Sequence, residues 1–338
     1  GCWLHERWKL ELALRLRGDA WLDLCNRHET LLPTDAGRAR VCTWPDTSAL
    51  TACRVFPRTG AQLLGRCLKA WPVRLQREAS TASAAAPQMS VIIAFRGLAR
   101  LPQLRCCLAS LWGQETVPLE IIVVEQSWEQ LLDPSDWPGV RLLHAKSTHP
   151  DMAFNKSWAL NLGAKHARSD ALVFHDADMI APSRYAIALQ ELFAHGFEGA
   201  RVPRFVFYLD MLTAETVQAT HSLDGITSIP EVQANCRGVS LAMTRDAYWR
   251  IGGHDESFFG WGGEDDEFLQ RARTCRFYPG GFVPFIHLWH EAQKEKHSAT
   301  RERVAFTQAK LASPVDARIR ELLRLDQGVI AGPADASP

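Results

Sequence analysis

The sequence predicts an α/β fold in which a mostly parallel central sheet is covered by helices on both faces. Three short apolar runs, residues 90–95, 119–124 and 171–174, are rich in β-branched side chains, as expected of buried parallel strands. Segments of helical periodicity, residues 100–113 and 154–167, separate these runs. Strands that alternate with helices favour right-handed crossovers and a parallel sheet. Because ligands bind at the carboxyl ends of such strands, the residues that follow each run are the first candidates for a site.

The second half of the chain is less regular. Its pattern predicts helices over 185–193 and 264–275, strands over 200–209 and 238–243, and a last irregular strand over 277–289. The histidines at the end of that last strand and the acidic residues that open the second helix are the polar groups of interest.

Composition divides the chain into four segments. Residues 1–78 have frequent arginines and helical patterns, and we predict a helical N-terminal appendage with no assigned role. Residues 79–88, ASTASAAAPQ, are small and uncharged and suit a linker. Residues 89–327 form the predicted α/β domain. Residues 328–338, GVIAGPADASP, are predicted to be a disordered tail.

Overall composition excludes several classes of protein. The 338 residues have a formal net charge of +0 and a pI near 7.3, which gives no support for binding to nucleic acid. No apolar run approaches the roughly 20 residues of a membrane-spanning helix. Nine cysteines without a CxxC pair favour scattered buried thiols in a reducing compartment over a disulfide framework.

Carboxylates and histidines form the first candidate site. Asp176 and Asp178 follow the strand predicted over 171–174, and hard oxygen ligands there suit Mg²⁺ or Mn²⁺ bridging a diphosphate. His287 and His290 are three residues apart, so both imidazoles can face one ion. The structural alternatives are an Asx turn for the aspartates and a pair of surface histidines. We predict that Asp178, His287 and His290 hold Mn²⁺, with Mg²⁺ as the second candidate.

A glycine-rich loop with one tryptophan forms the second candidate site. The loop runs Gly260-Trp261-Gly262-Gly263 and leads directly into Glu264-Asp265-Asp266-Glu267. Acidic residues in a first helical turn complement the helix dipole, but this does not explain a tryptophan between glycines. An aromatic face beside carboxylates suits a sugar, because the ring stacks on the apolar face and the carboxylates accept hydrogen bonds from hydroxyls. We therefore predict that Trp261, Gly262 and Gly263 contact a sugar.

Further candidates lie where a nucleotide would bind, at strand ends and in a first helical turn. They are Phe95, Arg96, Glu125, Phe154, Asn155 and Lys156. We predict that Phe95 and Arg96 stack on and hold the nucleotide, and that Glu125 accepts a hydrogen bond from uracil N3–H. Asn155 and Lys156 are placed to contact nucleotide or phosphate at a helix N-terminus. Core packing, helix capping and ordinary surface exposure are the structural alternatives.

Taken in order, these motifs resemble those of the β-1,4-galactosyltransferase family. The matching blocks are Ala94-Phe95-Arg96, Phe154-Asn155-Lys156, Asp176-Ala177-Asp178, Gly238-Val239-Ser240, Gly260 to Asp266, and His290. The resemblance covers about residues 90–297, and the tryptophan loop is its most specific part. That loop is also similar, more loosely, to chondroitin-polymerase-type and polypeptide N-acetylgalactosaminyltransferase domains. The resemblance implies a GT-A fold, which is Rossmann-like, together with a UDP-sugar donor and a Mn²⁺ cofactor.

Three positions depart from the family pattern. His287 stands where the family has Met, and its harder nitrogen ligand widens the choice of metal. The second family arginine has a counterpart only if Arg100 serves after a two-residue insertion. Asn235 stands where an aromatic side chain helps to set the donor sugar, so galactose, N-acetylgalactosamine and N-acetylglucosamine all stay open.

The resulting hypothesis is a metal-dependent, inverting glycosyltransferase. It would move a hexose or N-acetylhexosamine from a UDP-sugar to a hydroxyl of a glycan or glycolipid. In this reading Asp265 is the general base, and Glu264 and Asp266 position sugar hydroxyls. One alternative is a retaining or nucleotidyl-transfer enzyme on a similar sheet. The other is a catalytically silent module that binds carbohydrate or nucleotide.

The same observations set an expectation for location. Scattered cysteines and the lack of a visible signal segment favour a bacterial-type cytoplasmic enzyme, peripheral to the inner membrane where glycans are assembled. The alternative is a Golgi lumenal domain separated from its anchor. The sequence assigns no oligomeric state.

Overall fold

The computed structural model describes residues 2–44, 46–78, 86–260, 262–291 and 301–330. Its N-terminal part combines helices with short strands. The helices are α1 (Cys2–Arg15), α2 (Thr51–Val55) and α3 (Pro57–Ala70), and the strands are β1 (Leu31–Pro33), β2 (Arg40–Cys42) and β3 (Ser48–Ala49).

From residue 89 onward strands and helices alternate, as the periodicity predicts. The strands are β4 (Met89–Phe95), β5 (Leu119–Ser127), β6 (Val140–Lys146), β7 (Ala171–His175), β8 (Met179–Ile180), β9 (Gly199–Ala200), β10 (Pro203–Tyr208), β11 (Glu231–Ala234), β12 (Ser240–Thr244), β13 (Phe277–Tyr278) and β14 (Val283–His287). The helices are α4 (Leu101–Trp112), α5 (Lys156–His166), α6 (Tyr185–Ala194), α7 (Met211–Thr220), α8 (Arg245–Arg250), α9 (Glu264–Ala272), α10 (Arg301–Ala312) and α11 (Val315–Leu322).

A seven-stranded sheet forms the centre of the fold, in the order β13-β9-β12-β7-β4-β5-β6. β7, β4, β5 and β6 are parallel to one another, whereas β12 is antiparallel to both β7 and β9. β9 and β13 are again parallel to each other. The predicted α/β fold with a mostly parallel, Rossmann-like central sheet is therefore confirmed, and this is the architecture that a GT-A fold implies.

Alternate residues of β4 explain why its sequence is apolar throughout. Val91 and Ile93 lie in the core on one face of the sheet, with Leu104 of α4. Ile92 lies in the core on the other face, with Trp158 of α5. Because both faces are covered, every position of the strand gains from an apolar side chain, by about 1.5–3 kcal/mol for each large one.

A second sheet of five strands, in the order β3-β11-β10-β14-β8, joins the N-terminal part to the domain. β3 pairs antiparallel with β11. Arg204, at the start of β10, donates hydrogen bonds to the carbonyl oxygens of Leu22 and Leu24. Trp21 is fully buried and packs near Phe205, with ring centroids 6.1 Å apart.

The prediction of a purely helical appendage over residues 1–78 was therefore wrong. Strands of two or three residues are too short to show periodicity, and β3 exists because β11 offers it hydrogen-bonding partners. The part of the chain predicted as a linker lies largely outside the described residues, which resume at residue 86.

The C-terminal helices pack against α9 through a buried ion-pair cluster. Glu267 of α9 accepts from Arg271 at 2.5 Å and from Arg318 of α11 at 2.7 Å. Beyond α11, Gly328 N donates to Glu256, and Trp158 Nε1 donates to Val329 O at 2.7 Å. The predicted disordered tail therefore begins too early at residue 328, since these contacts order its first residues; residues 331–338 lie outside the described chain.

Among the described helices, none is both long enough and apolar enough to cross a bilayer.

Candidate active site

A cleft of about 990 Å³ opens at the carboxyl ends of β4 and β7, as expected for a parallel sheet. It gathers most of the residues that the sequence singles out. These are Phe95, Arg96, Phe154, Lys156, Asp176, Asp178, Gly262, Gly263, Glu264, Asp265, Asp266, His287 and His290. The prediction for Trp261 falls outside the described residues.

Strands β8 and β14 bring the predicted metal ligands together. His287 pairs with Met179 across these antiparallel strands, and Leu288 N donates to Asp178 O at 2.9 Å. Asp178 Oδ2 lies 3.1 Å from His290 Nε2 and 3.7 Å from His287 Nε2. One ligand atom from each of these three residues lies within 4.8 Å of the others. One carboxylate and two imidazoles form a donor set that suits Mn²⁺.

The surroundings of Asp178 keep its carboxyl group ionised, as a metal ligand requires. Burial raises the pKa of this carboxyl, but His287, His290 and Arg100 outweigh burial and hold the pKa well below its ordinary value. Burial lowers the pKa of His287, which favours the neutral imidazole that can coordinate a metal. Its Nδ1 atom is buried without a hydrogen-bond partner among the described residues. These donors fit a divalent cation.

Arg100 lies in the cleft and donates from Nη1 to Asp178 Oδ2 at 3.1 Å. It follows Arg96 by one short helical turn at the start of α4. Arg100 therefore lies beside the candidate metal ligands, and its correspondence to the second family arginine stays a prediction.

Lys156, in the first turn of α5, forms ion pairs with two carboxylates of the cleft, those of Asp176 and Asp265. Its Nζ atom lies 2.9 Å from Asp176 Oδ1 and 3.3 Å from Asp265 Oδ1. Burial lowers the pKa of Lys156, but the charges of Asp176, Asp265 and Glu264 outweigh it and raise the pKa well above its ordinary value. Lys156 is therefore a fixed positive charge between the turn after β7 and the start of α9.

Glycines shape the loop that leads into α9. Gly260, Gly262 and Gly263 have φ of +74°, +108° and +95°, a region that side chains with a Cβ rarely adopt. Gly260 N donates to Phe154 O at 2.7 Å, and Gly262 N donates to Glu264 Oε2 at 3.1 Å. The loop is thus hydrogen-bonded at Gly260 to the segment just before α5, and at Gly262 to Glu264, the first residue of α9.

Gly238 faces the carboxylate of Asp265 from across the cleft. A Cβ atom at position 238 would lie 2.5 Å from Asp265 Oδ2. The next residue, Val239, is fixed against the turn after β7, because Asp176 N donates to Val239 O at 3.0 Å and Val239 N donates to Asp176 Oδ2 at 3.1 Å. Glycine at 238 therefore leaves the space that Asp265 occupies.

Glu264 and Asp265 hold protons more tightly than ordinary carboxylates. Burial, reinforced by the charge of Asp265, raises the pKa of Glu264 to about 7. Burial also raises the pKa of Asp265, although the nearby Lys156 opposes this shift. A carboxylate whose pKa is moved towards neutrality is a better general base at physiological pH.

The remaining acids of this run have different partners. Asp266 Oδ2 lies 2.6 Å from Arg237 Nη1 at the cleft. Glu267 is fully buried and serves the ion-pair cluster with Arg271 and Arg318. Three of the four consecutive acids therefore line the cleft, and the fourth fixes the helix that carries them.

Two predicted nucleotide contacts lie outside the cleft. Glu125 is 2% exposed, and its oxygens accept from Leu131 N at 2.8 Å and Leu132 N at 3.0 Å. Asn155 is 0% exposed and caps α5, since its Oδ1 atom accepts from Trp158 N at 2.9 Å. For both residues the structure favours the structural alternative, because their hydrogen-bonding groups are already used within the chain.

Residues that the sequence reasoning missed also line the cleft. Arg237, Tyr208, Asp46 and Thr47 belong to this group. Arg237 directly precedes the Gly238-Val239-Ser240 block, so its position next to a family motif could have indicated it as a site residue. Asp46 and Thr47 lie in the N-terminal part and had no recognisable motif.

Residues 228–282 match the family described as the N-terminal domain of galactosyltransferase. The matched segment spans Gly238, the glycine loop and the acids that open α9. This segment is galactosyltransferase-like. The resemblance seen in the motifs is confirmed over these residues. No curated protein matches the chain.

Several solved structures are similar at low identity. The catalytic domain of Drosophila beta1,4galactosyltransferase 7, in complex with xylobiose, is 18% identical, with a TM-score of 0.38, over 68% of this chain and 84% of that one. The mannosyltransferase PcManGT from Pyrobaculum calidifontis, in complex with GDP-Man and Mn²⁺, is 19% identical, with a TM-score of 0.44, over 81% and 79%. S. aureus TarS 1-349, in complex with UDP-GlcNAc, is 13% identical, with a TM-score of 0.44, over 70% of each chain. These likenesses are distant, and the fold and site described here rest on the strand order and side chains of this chain.

Proposed function

We propose that this protein is a metal-dependent, inverting glycosyltransferase that moves a hexose or N-acetylhexosamine from a UDP-sugar to a glycan hydroxyl. The observation that carries the proposal is the shared cleft of the Asp178, His287 and His290 set and the Asp265 carboxylate. Inverting transfer from a sugar nucleotide is helped by a cation beside the leaving diphosphate and by a base for the attacking hydroxyl. Residues suited to each role line this one cleft.

The nucleotide side of the cleft is positively charged. Arg96 and Arg100 lie at the end of β4 and the start of α4, and guanidinium groups suit phosphate oxygens. A Mn²⁺ ion held by Asp178, His287 and His290 would supply neutralisation of the charge that develops on the leaving UDP. Phe154 is half-buried on the same side and offers aromatic surface to the nucleotide, whereas Phe95 is 1% exposed and packs in the core, so the predicted stacking on Phe95 is not supported.

On the carboxylate side of the cleft we assign the residue that accepts the proton of the acceptor hydroxyl. In the proposed reaction Asp265 accepts the proton of the acceptor hydroxyl while that oxygen attacks the anomeric carbon from the side opposite to UDP. Lys156 orients the Asp265 carboxylate through Oδ1. Glu264 and Asp266 accept hydrogen bonds from sugar hydroxyls. The cleft volume of about 990 Å³ lies at the upper end of the range for ligand pockets, which leaves room for a sugar nucleotide and an acceptor.

The test is UDP release from a panel of UDP-sugars, measured with Mn²⁺ and with a chelator, first with water and then with glycans as acceptor. We expect chelation to abolish release from the preferred UDP-sugar. The anomeric configuration of the product, read by NMR, would be opposite to that of the donor. Retention of configuration would refute the inverting mechanism. UDP binding without UDP release under any condition would favour a silent binding module.

A further inference from the structure

The N-terminal part of the chain helps to line the cleft. Five of the lining residues form a group that we call the outer subsite: Asp46, Thr47, Tyr208, Glu231 and Gln233. Asp46 and Thr47 immediately precede β3, which pairs with β11, so that Ala49 lies opposite Gln233. The N-terminal part is therefore held at the cleft by strand pairing.

Arg237 fastens the outer subsite to the carboxylate side of the cleft. Its Nη1 atom lies 2.6 Å from Asp266 Oδ2, and its Nη2 atom lies 3.1 Å from Asp46 Oδ1. One guanidinium thus bridges a residue before β3 and a residue in the first turn of α9. Arg237 donates hydrogen bonds to Asp266 and Asp46, and these raise its pKa, so the bridge is charged throughout the working range of pH.

The chemistry of the outer subsite suits sugar hydroxyls. Tyr208 stacks on His287 with ring centroids 4.5 Å apart, and its hydroxyl donates to Gln233 Oε1 at 3.2 Å. Gln233 Nε2 in turn donates to Glu231. This chain of polar groups leads from a proposed metal ligand to the exposed Glu231, and Thr47 adds a further exposed side chain.

The charge balance of the outer subsite is negative. Two carboxylates, those of Asp46 and Asp266, already match the guanidinium of Arg237. Glu231 adds a further negative charge to the wall. A carboxylate, sulfate or phosphate on the ligand would therefore be repelled, whereas uncharged hydroxyls would find acceptors.

We propose that the outer subsite binds an uncharged sugar residue of the acceptor glycan, and that Arg237 positions it by fastening residues 46–47 to the start of α9. This inference rests on the proposed glycosyltransferase function for the identity of the ligand. It gives the N-terminal part of the chain a role in substrate binding.

The positioning role of Arg237 is tested without any activity measurement. In Arg237→Ala, amide hydrogen exchange of the peptides covering residues 46–50 and 263–267 should accelerate about fivefold, because the bridge joins these two segments. Arg237→Lys should restore part of the protection. The control is Arg40→Ala, which removes another N-terminal ion pair, 2.7 Å from Asp23, and should leave both peptides unchanged. Unchanged exchange of residues 46–50 in Arg237→Ala overturns the positioning role.

The ligand class is tested by binding. Lactose and N,N′-diacetylchitobiose serve as uncharged probes and digalacturonate as the anionic probe, each measured by saturation-transfer NMR with UDP and Mn²⁺ present. We expect an uncharged disaccharide to bind at least about tenfold more tightly than digalacturonate, and Glu231→Lys to remove that preference. Equal or tighter binding of digalacturonate, or no binding of any probe, overturns the subsite. Neither result concerns UDP release, so the proposed function stands or falls separately.

Discussion

Asp178 and Asp265 both line the cleft, and burial raises the pKa of each carboxyl, yet the two net shifts run in opposite directions. Asp178 faces two imidazoles and the Arg100 guanidinium, which together outweigh burial. Asp265 faces Lys156, but that one cation also serves Asp176. The pKa of Asp178 falls and that of Asp265 rises.

This contrast assigns different chemistry to the same residue type. A carboxylate that stays charged at all working pH values is suited to hold a cation. A carboxylate whose pKa lies closer to neutrality is suited to take a proton. In the proposed function Asp178 is the metal ligand and Asp265 the base, because their surroundings shift the two pKa values in opposite directions.

The largest expected effect is on the base. Asp265→Asn should lower kcat for sugar transfer about 1,000-fold, because a positioned general base contributes about 10²–10⁴-fold. UDP affinity should not change, since the diphosphate side of the cleft is untouched. UDP release and calorimetric UDP binding measure the two quantities. The control is Asp246→Asn on α8, whose side chain is 85% exposed. A loss of less than tenfold would show that another group acts as the base.

Replacing Asp178 tests the proposed metal ligand, the second carboxylate of the comparison. Asp178→Asn should weaken Mn²⁺ binding at least about 100-fold, because even outer contacts of metal ligands change affinity by about 10–100-fold. Electron paramagnetic resonance of free Mn²⁺ gives the affinity. Asp170→Asn, at a fully exposed position just before β7, is the matched control. Native Mn²⁺ affinity in Asp178→Asn would place the metal elsewhere.

A methyl group beside Asp265 tests its placement without changing any charge. Gly238→Ala should lower kcat between tenfold and 100-fold, since the added Cβ would lie 2.5 Å from Asp265 Oδ2 and must displace it. Gly65→Ala is the control, because no atom lies within 4 Å of the added Cβ in α3. Activity and thermal unfolding are measured together. If Gly238→Ala were as active as the native chain, the placement of Asp265 would not limit the reaction.

The smallest effect concerns pH. A base works only when deprotonated, and burial raises the pKa of Asp265, so activity should be lost as pH falls through that raised pKa. Below it, kcat/KM should fall about tenfold for each pH unit. In Asp176→Asn the loss of a neighbouring negative charge should move this acid limb to lower pH. A limb that stays in place in Asp176→Asn would mean that Asp265 does not control it.

The local sequence was enough to predict features whose pattern lies within a single strand or helix. The apolar runs of β4, β5 and β7 predicted a parallel sheet because both faces of each strand are buried. The acids of α9 were predicted as site residues because they follow glycines and a tryptophan. For Glu125 and Asn155 the same local reasoning did not foresee that hydrogen bonds within the chain already use their polar groups. A polar residue at a strand end or in a first helical turn can contact a ligand or make a structural hydrogen bond. The same residue types serve both roles, so the sequence does not distinguish them.

By itself the sequence determined the class of fold, the acids at α9 and the candidate metal ligands, because periodicity and residue chemistry are local properties. Tertiary structure alone decided how these groups meet. The pairing of β8 with β14 places His287 beside Asp178, and the pairing of β3 with β11 places Asp46 beside Arg237. Such pairings join segments far apart in the chain, and they depend on which strands find hydrogen-bonding partners during packing. No local pattern encodes that choice.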